Sequence, residues 1–161
     1  MRDTWSLDVL YTGFDDKRWS EDLKKLDDCV EKFQAFAARL SDENEKETIK
    51  EGLKLLEELE GLSAQMMIFC ELRGAADTRD KDSMSYEGVL SQKRNRTRAA
   101  ETKFAEYVAA RKNLEQDIKE DAFLTSYAYL LRNMAEDNRH LLSGDVEEAL
   151  AKMDVSGGAA W

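Results

Sequence analysis

The chain has 161 residues, 24 Lys plus Arg against 34 Asp plus Glu, a formal net charge of −10, 42% hydrophobic residues and no proline. This length suits one domain and can bury roughly 70% of its unfolded surface, so no disulfide or metal staple is required. The acidic balance excludes a nucleic-acid or anionic-membrane surface as the main feature, and a proline-free chain rich in Ala, Glu, Lys, Leu and Arg predicts an all-α fold.

The opening "TWSLDVLYTGF" places Trp5, Leu7, Leu10, Tyr11 and Phe14 in no helical or strand rhythm, with Gly13 interrupting. Residues 1–14 are predicted as an extended or turn-rich aromatic arm packed on the body. "FDDKRW" opens the first helix, with Asp15 or Asp16 as N-cap. From Trp19 the apolar positions Leu23, Leu26, Val30, Phe33, Ala37 and Leu40 follow in alternating steps of four and three, a heptad seam. "LSDENEKE" ends that helix and starts the next, with Asp42 and Glu45 spaced as a capping pair.

The second helix carries Ile49, Leu53 and Leu56, then shifts phase to Leu59, Leu62, Met66 and Phe69. Gly52 and Gly61 each weaken it by about 1 kcal/mol relative to Ala and allow close helix approach. "RGAADTRDKDS" is the next break, and a third helix is expected from Met84 to Leu114 across the almost wholly polar "SQKRNRTR". After "NLEQDIKED" a fourth helix presents Phe123, Tyr127, Leu130, Leu131 and Met134. A short final helix follows Ser143, with Val146, Ala149, Leu150 and Met153 on its apolar side. The expected architecture is an up-down-up antiparallel bundle of three long helices, shorter C-terminal helices and the aromatic arm. One helical domain spans 1–155, and "SGGAA" within 156–161 reads as the start of a linker.

Chemistry is scarce. Cys29 and Cys70 sit in apolar helical patterns as buried thiols of a reduced compartment, and no spacing demands a disulfide between them. "MRDTWSLDVL" lacks the layout of a signal peptide, and no apolar run nears the length of a membrane span, so a cytoplasmic chain is expected. His140 is the sole histidine, so a histidine-based zinc site or a nucleophilic triad cannot be assembled. No glycine-rich phosphate loop is present. The local anomaly is the basic run Lys93, Arg94, Arg96 and Arg98 in an acidic chain. It fits an anion or peptide contact, or pairing with acidic faces such as "EELE" on a neighbouring helix; the lack of interleaved aromatics argues against nucleic acid.

Two segments nevertheless carry a resemblance. "TWSLDVLYTGFDD" resembles the opening of oligoendopeptidase F-like zinc metallopeptidases, with Trp5, Leu7, Leu10, Tyr11, Phe14, Asp15 and Asp16 at the positions of that family's W-x-L-x-x-L-Y-x-x-F-D-D pattern. "YAYLLRNMAEDNRHLLSGDVEEALAKMDVSGGAAW" is similar to the family's later N-terminal segment, with His140, Leu142, Ser143, Glu147, Leu150 and Trp161 at matching places. The resemblance implies a non-catalytic N-terminal domain that forms part of the wall of a peptide-admitting channel. It further implies docking on a catalytic domain of the same polypeptide that follows the linker. Zinc and oligopeptide substrates would belong to the full-length enzyme, with no catalytic residue, cofactor or metal in this chain. Trp5, Tyr11, Phe14 and Trp161 are candidate domain-interface residues. A different reading is a free-standing helical adaptor that binds a partner protein through the Trp19–Leu40 heptad seam, without nucleic acid or membrane.

Overall fold

The computed structural model describes residues 6–41 and 43–139. These residues are helical throughout, without a strand, in the order α1 (Lys17–Ala38), α2 (Glu45–Ala76), α3 (Lys81–Asn95), α4 (Arg98–Ala109), α5 (Leu114–Glu120), α6 (Ala122–Ser126) and α7 (Ala128–Arg139). The chain divides into two compact units, Met1–Phe104 and Ala105–Trp161.

In the first unit, Asp16 caps α1 by accepting from the Arg18 backbone N–H at 2.9 Å. That bond satisfies one of the amides a helix start leaves unpaired. The seam buries Trp19, Leu26, Val30, Phe33 and Ala37, joined by Cys29 and Phe36 on the same face. This face packs on α2, and α2 packs in turn on α3. The heptad rhythm is therefore spent on the protein's own neighbouring helices. Leu23 and Leu40, at the margins of the seam, are only half-buried.

The start of α2 differs from the expected capping pair. Asn44 is the N-cap, in the left-handed region with φ 58°, and its side chain makes no capping bond. Asparagine tolerates that conformation better than most residues, and its carbonyl accepts from the Thr48 N–H at 3.0 Å. Asp42 lies outside the described residues. At the other end α2 continues through Gly74 to Ala76, so the break shrinks to residues 77–80. Asp80 then caps α3, accepting from the N–H groups of Asp82 and Ser83.

The two glycines of α2 differ in kind. A Cβ on Gly52 would stand 2.4 Å from Phe104 Cε2 and 2.9 Å from Phe36 Cε1, whereas nothing lies within 4 Å at Gly61. Gly52 is thus where two aromatic rings press against the helix backbone, and Gly61 carries no such contact.

The third long helix is not continuous, which corrects the expected Met84–Leu114 span. It divides into α3 and α4 at Arg96–Thr97, where Arg96 N–H donates to Lys93 O and Thr97 N–H to Arg94 O. Such i→i−3 bonds tighten a helix into a turn. The buried Thr97 hydroxyl lies 2.7 Å from the Arg94 carbonyl and 2.5 Å from Glu101 Oε1, a local competitor for the helical ladder.

The second unit also departs from expectation. "LEQDIKE" forms α5, and the expected fourth helix is split into α6 and α7 at Tyr127. Asp121 drives the first division: its carboxylate accepts from the N–H groups of Phe123 and Leu124 and so starts a new helix. Leu114, Ile118, Leu124 and Leu131 are the buried apolar side chains contributed by α5, α6 and α7. The expected helix after Ser143 lies outside the described residues. Among the described residues no helix is long and apolar enough to cross a membrane.

Candidate functional site

Three places collect side chains whose chemistry asks for an explanation. The first is the aromatic arm. Leu10 and Tyr11 N–H groups fold back on Leu7 O at 2.8 and 3.1 Å, turning the arm onto α1 and α2. Tyr11 is 1% exposed. Its hydroxyl donates to Asp22 Oδ2 at 2.8 Å and accepts from Gln65 Nε2 at 2.9 Å, tying the arm to both helices. Burial, then the bond to Asp22 and its charge, push the phenol well above its usual range, partly offset by Gln65. Lys25 Nζ, 2.9 Å from Asp22 Oδ1, balances the carboxylate.

Around this anchor Tyr11, Phe14, Trp19, Phe69 and Tyr86 stack mostly edge to face, with centroids 4.6–5.6 Å apart. Arg73 stands 4.9 Å over Phe14 while its guanidinium bonds Asp80 at 3.0 Å. Tyr11 and Phe14, two of the candidate interface residues, are therefore engaged inside the first unit: Tyr11 is fully covered and Phe14 half-buried. Trp5 and Trp161 lie outside the described residues.

The second place is the basic run. Lys93 Nζ reaches both carboxylate oxygens of Asp27 at 2.6 Å, and Arg96 reaches the same group at 3.3 Å. Arg94 spans three partners, the Thr97 hydroxyl at 2.7 Å, Glu101 at 2.5 Å and Glu60. Glu60 belongs to the acidic "EELE" stretch of α2. Three of the four cations are thus held by carboxylates of their own unit, and Arg98 is exposed. Next to them α1 and the start of α4 enclose an alanine-floored hollow of about 220 Å³, with Gln34, Arg96 and Lys103 in its wall. Gln34 Nε2 closes one side by donating to the Arg96 carbonyl at 2.7 Å.

The third place lies in the second unit. Arg132 makes a bidentate pair with Glu115 at 2.8 and 2.9 Å, bridging α5 and α7. That hydrogen-bonded pair lowers the Glu115 carboxyl below its usual range. Arg111 holds the buried Asp117 at 2.7 Å. Both carboxylates lock helices in place and are not aimed at an open cleft.

Neither cysteine is poised for reaction. Both are free and buried. Burial, followed by the charge of Glu87, pushes the Cys70 thiol up to about 12, and burial with Glu58 raises Cys29. A nucleophilic thiol needs the opposite shift. Among the described residues no three His, Cys, Asp or Glu side chains converge as metal ligands would. The zinc implied by the resemblance therefore finds no donor set in them, and no catalytic step can be routed through them. His140 lies outside the described residues.

Residues 108–161 match the family model described as Oligopeptidase F, an N-terminal-domain model of the M3 peptidases. The match runs from the last turns of α4 through α7 and on to Trp161, so it contains the second of the two segments that carry the resemblance. No curated protein and no solved structure matches the chain.

Proposed function

From the premise that this chain carries an oligopeptidase F N-terminal domain, we propose that it is the non-catalytic wall of a peptidase whose zinc chemistry resides elsewhere in the polypeptide. The family match over residues 108–161 is the observation that supports this reading. The helices would contribute surface to a channel that admits oligopeptides, and the domain would dock on the catalytic part. Zinc bound in that part would supply the Lewis acid and activate water. The residues described above offer rigidity instead: aromatic anchoring of the arm, carboxylates paired with arginine, and buried inert thiols.

The adaptor alternative loses its surface, because the Trp19–Ala37 seam is covered by the protein's own helices. The reading predicts that the complete polypeptide cleaves short quenched-fluorescence peptides in a chelator-sensitive way and leaves folded proteins intact. The 161-residue chain alone is expected to be inactive. Removal of the domain from the complete polypeptide should abolish this size selection or the activity with it. Unchanged activity and unchanged size selection after removal would refute the proposed role.

A further inference from the structure

The first unit is polarised in a way that its overall composition hides. Within α2, residues 45–60 carry nine charged side chains, whereas residues 61–76 carry only Glu71 and Arg73. The neighbouring stretch of α3, residues 83–92, carries only Glu87. These two stretches lie at the same end of the α2–α3 hairpin. Arg73 pairs with Asp80 across its turn, and a Cβ on Gly74 would stand 3.9 Å from Ser83 Cβ. In a chain with 36% charged residues such a neutral pair of helical segments is unusual.

The neutral segments also expose large apolar side chains. Ile68 and Leu72 are each 46% exposed, Met84 64% and Val89 37%. On α2, Gly61, Ala64, Ile68, Leu72 and Ala75 recur at steps of three and four along the side opposite the buried Leu59, Met66 and Cys70. The core is not short of partners here, since the aromatic cluster of Tyr11, Phe14, Trp19, Phe69 and Tyr86 fills the same end from within. Ile68 and Leu72 are thus surplus to the unit's own packing, and contiguous exposed apolar surface marks an interaction site.

Two physical arguments choose the occupant. A second copy is disfavoured by charge: each chain carries a formal −10, and a neutral contact face offers no salt bridge to offset that repulsion. Size argues the same way. The α2 stripe is about 20 Å long, and monomer patches of this kind reach roughly 300–600 Å², below the roughly 1,200–2,000 Å² typical of stable separate partners. A small neutral face suffices when its partner is tethered, because the linker supplies an effective concentration on the order of millimolar.

We propose that the neutral outer face formed by residues 61–76 of α2 and 83–92 of α3 docks on an apolar, uncharged surface of the catalytic domain of the same polypeptide. This rests on the reading given under the proposed function. The test places single cysteines at Leu72→Cys and Met84→Cys, with Glu31→Cys on the exposed side of α1 as control, in both the complete polypeptide and the 161-residue chain. Thiol-labelling rates are then compared. Labelling at positions 72 and 84 is expected to slow by about tenfold or more in the complete polypeptide, with position 31 unchanged and the protection retained at high salt.

Equal rates at 72 and 84 in a complete polypeptide that still hydrolyses oligopeptides would overturn the docking face while leaving the domain's proposed role intact. Protection that disappears at high salt would overturn it too, because a charged surface would then hold the domains together. Concentration-dependent protection in the 161-residue chain would assign the face to a second copy and also overturn it. A complete polypeptide without peptidase activity would remove the premise, and that failure is read from the hydrolysis assay, independently of the labelling.

Discussion

Replacing each glycine of α2 with alanine should move stability in opposite directions. In a helix interior Ala is favoured over Gly by about 1 kcal/mol, chiefly through backbone entropy. Gly61 has nothing within 4 Å of its would-be Cβ, so Gly61→Ala should realise most of that gain. At Gly52 the new methyl would meet Phe104 at 2.4 and 2.5 Å and Phe36 at 2.9 Å. Neither ring has room to retreat: Phe104 and Phe36 are 0% and 2% exposed, their centroids lie 5.7 Å apart, and Phe33 stands 6.2 Å behind Phe104. Overpacking of this kind costs about 1–3 kcal/mol. Subtracting the helix gain leaves Gly52→Ala destabilised by about 0–2 kcal/mol and separated from Gly61→Ala by about 1–3 kcal/mol. Urea denaturation followed by circular dichroism measures both variants on one scale. A Gly52→Ala midpoint equal to or above that of Gly61→Ala would refute the account of α2 packing on α4.

Tyr11→Phe keeps the ring but strips Asp22 and Gln65 of their shared hydroxyl, and should cost about 1–3 kcal/mol in the same denaturation experiment. The sign of its pH dependence is fixed by the raised phenol pKa: the stabilisation is complete below the unfolded value of 10.0 and is lost as pH climbs above it. In an alkaline absorbance titration the exposed Tyr129 should therefore ionise before Tyr11. Asp16 shows the opposite sign. Hydrogen bonds from Arg18, then from the Thr12 and Arg18 backbone N–H groups, hold its carboxyl low, so its contribution is present above 3.8 and lost as pH falls below that. Asp16→Asn should accordingly flatten part of the acid limb of the stability curve. Alkylation of Cys70 in the native protein should run at least about 100-fold slower than in urea; comparable rates would mean that the α2 core opens readily.

The sequence was most informative where one physical rule acted alone. Trp19 to Ala37 follow a heptad because one helix face is buried along its whole length, and Asp16 sits where an N-cap must. The α3–α4 break was not legible, because "KRNRTR" contains no glycine or proline to announce it. What divides the helix is the Thr97 hydroxyl competing with the backbone, an effect visible only once Thr97 is known to be buried. The split at Tyr127 was hidden in the same way by an apolar pattern that runs through it. Tyr11 was legible as an aromatic packing residue but not as a buried hydrogen-bonding anchor, since its partners Asp22 and Gln65 lie 11 and 54 residues away.

The basic run shows how pairing changes the meaning of a charge cluster. Four cations within six residues suggest an anion site when read along the chain. In the fold Asp27 takes Lys93 and Arg96, while Glu60 and Glu101 take Arg94. An incoming carboxylate at these positions would displace an existing partner instead of meeting a free charge, and the net gain from exchanging one part-exposed ion pair for another is close to zero. The pairs also connect α3 and α4 to α1 and α2 on either side of the Thr97 break. Lys93→Ala and Arg94→Ala should therefore loosen the junction, seen as faster amide exchange around residues 94–101, and should leave any anion affinity of the chain unchanged. A loss of salt-sensitive anion binding with unaltered exchange would instead restore the cluster as a ligand site.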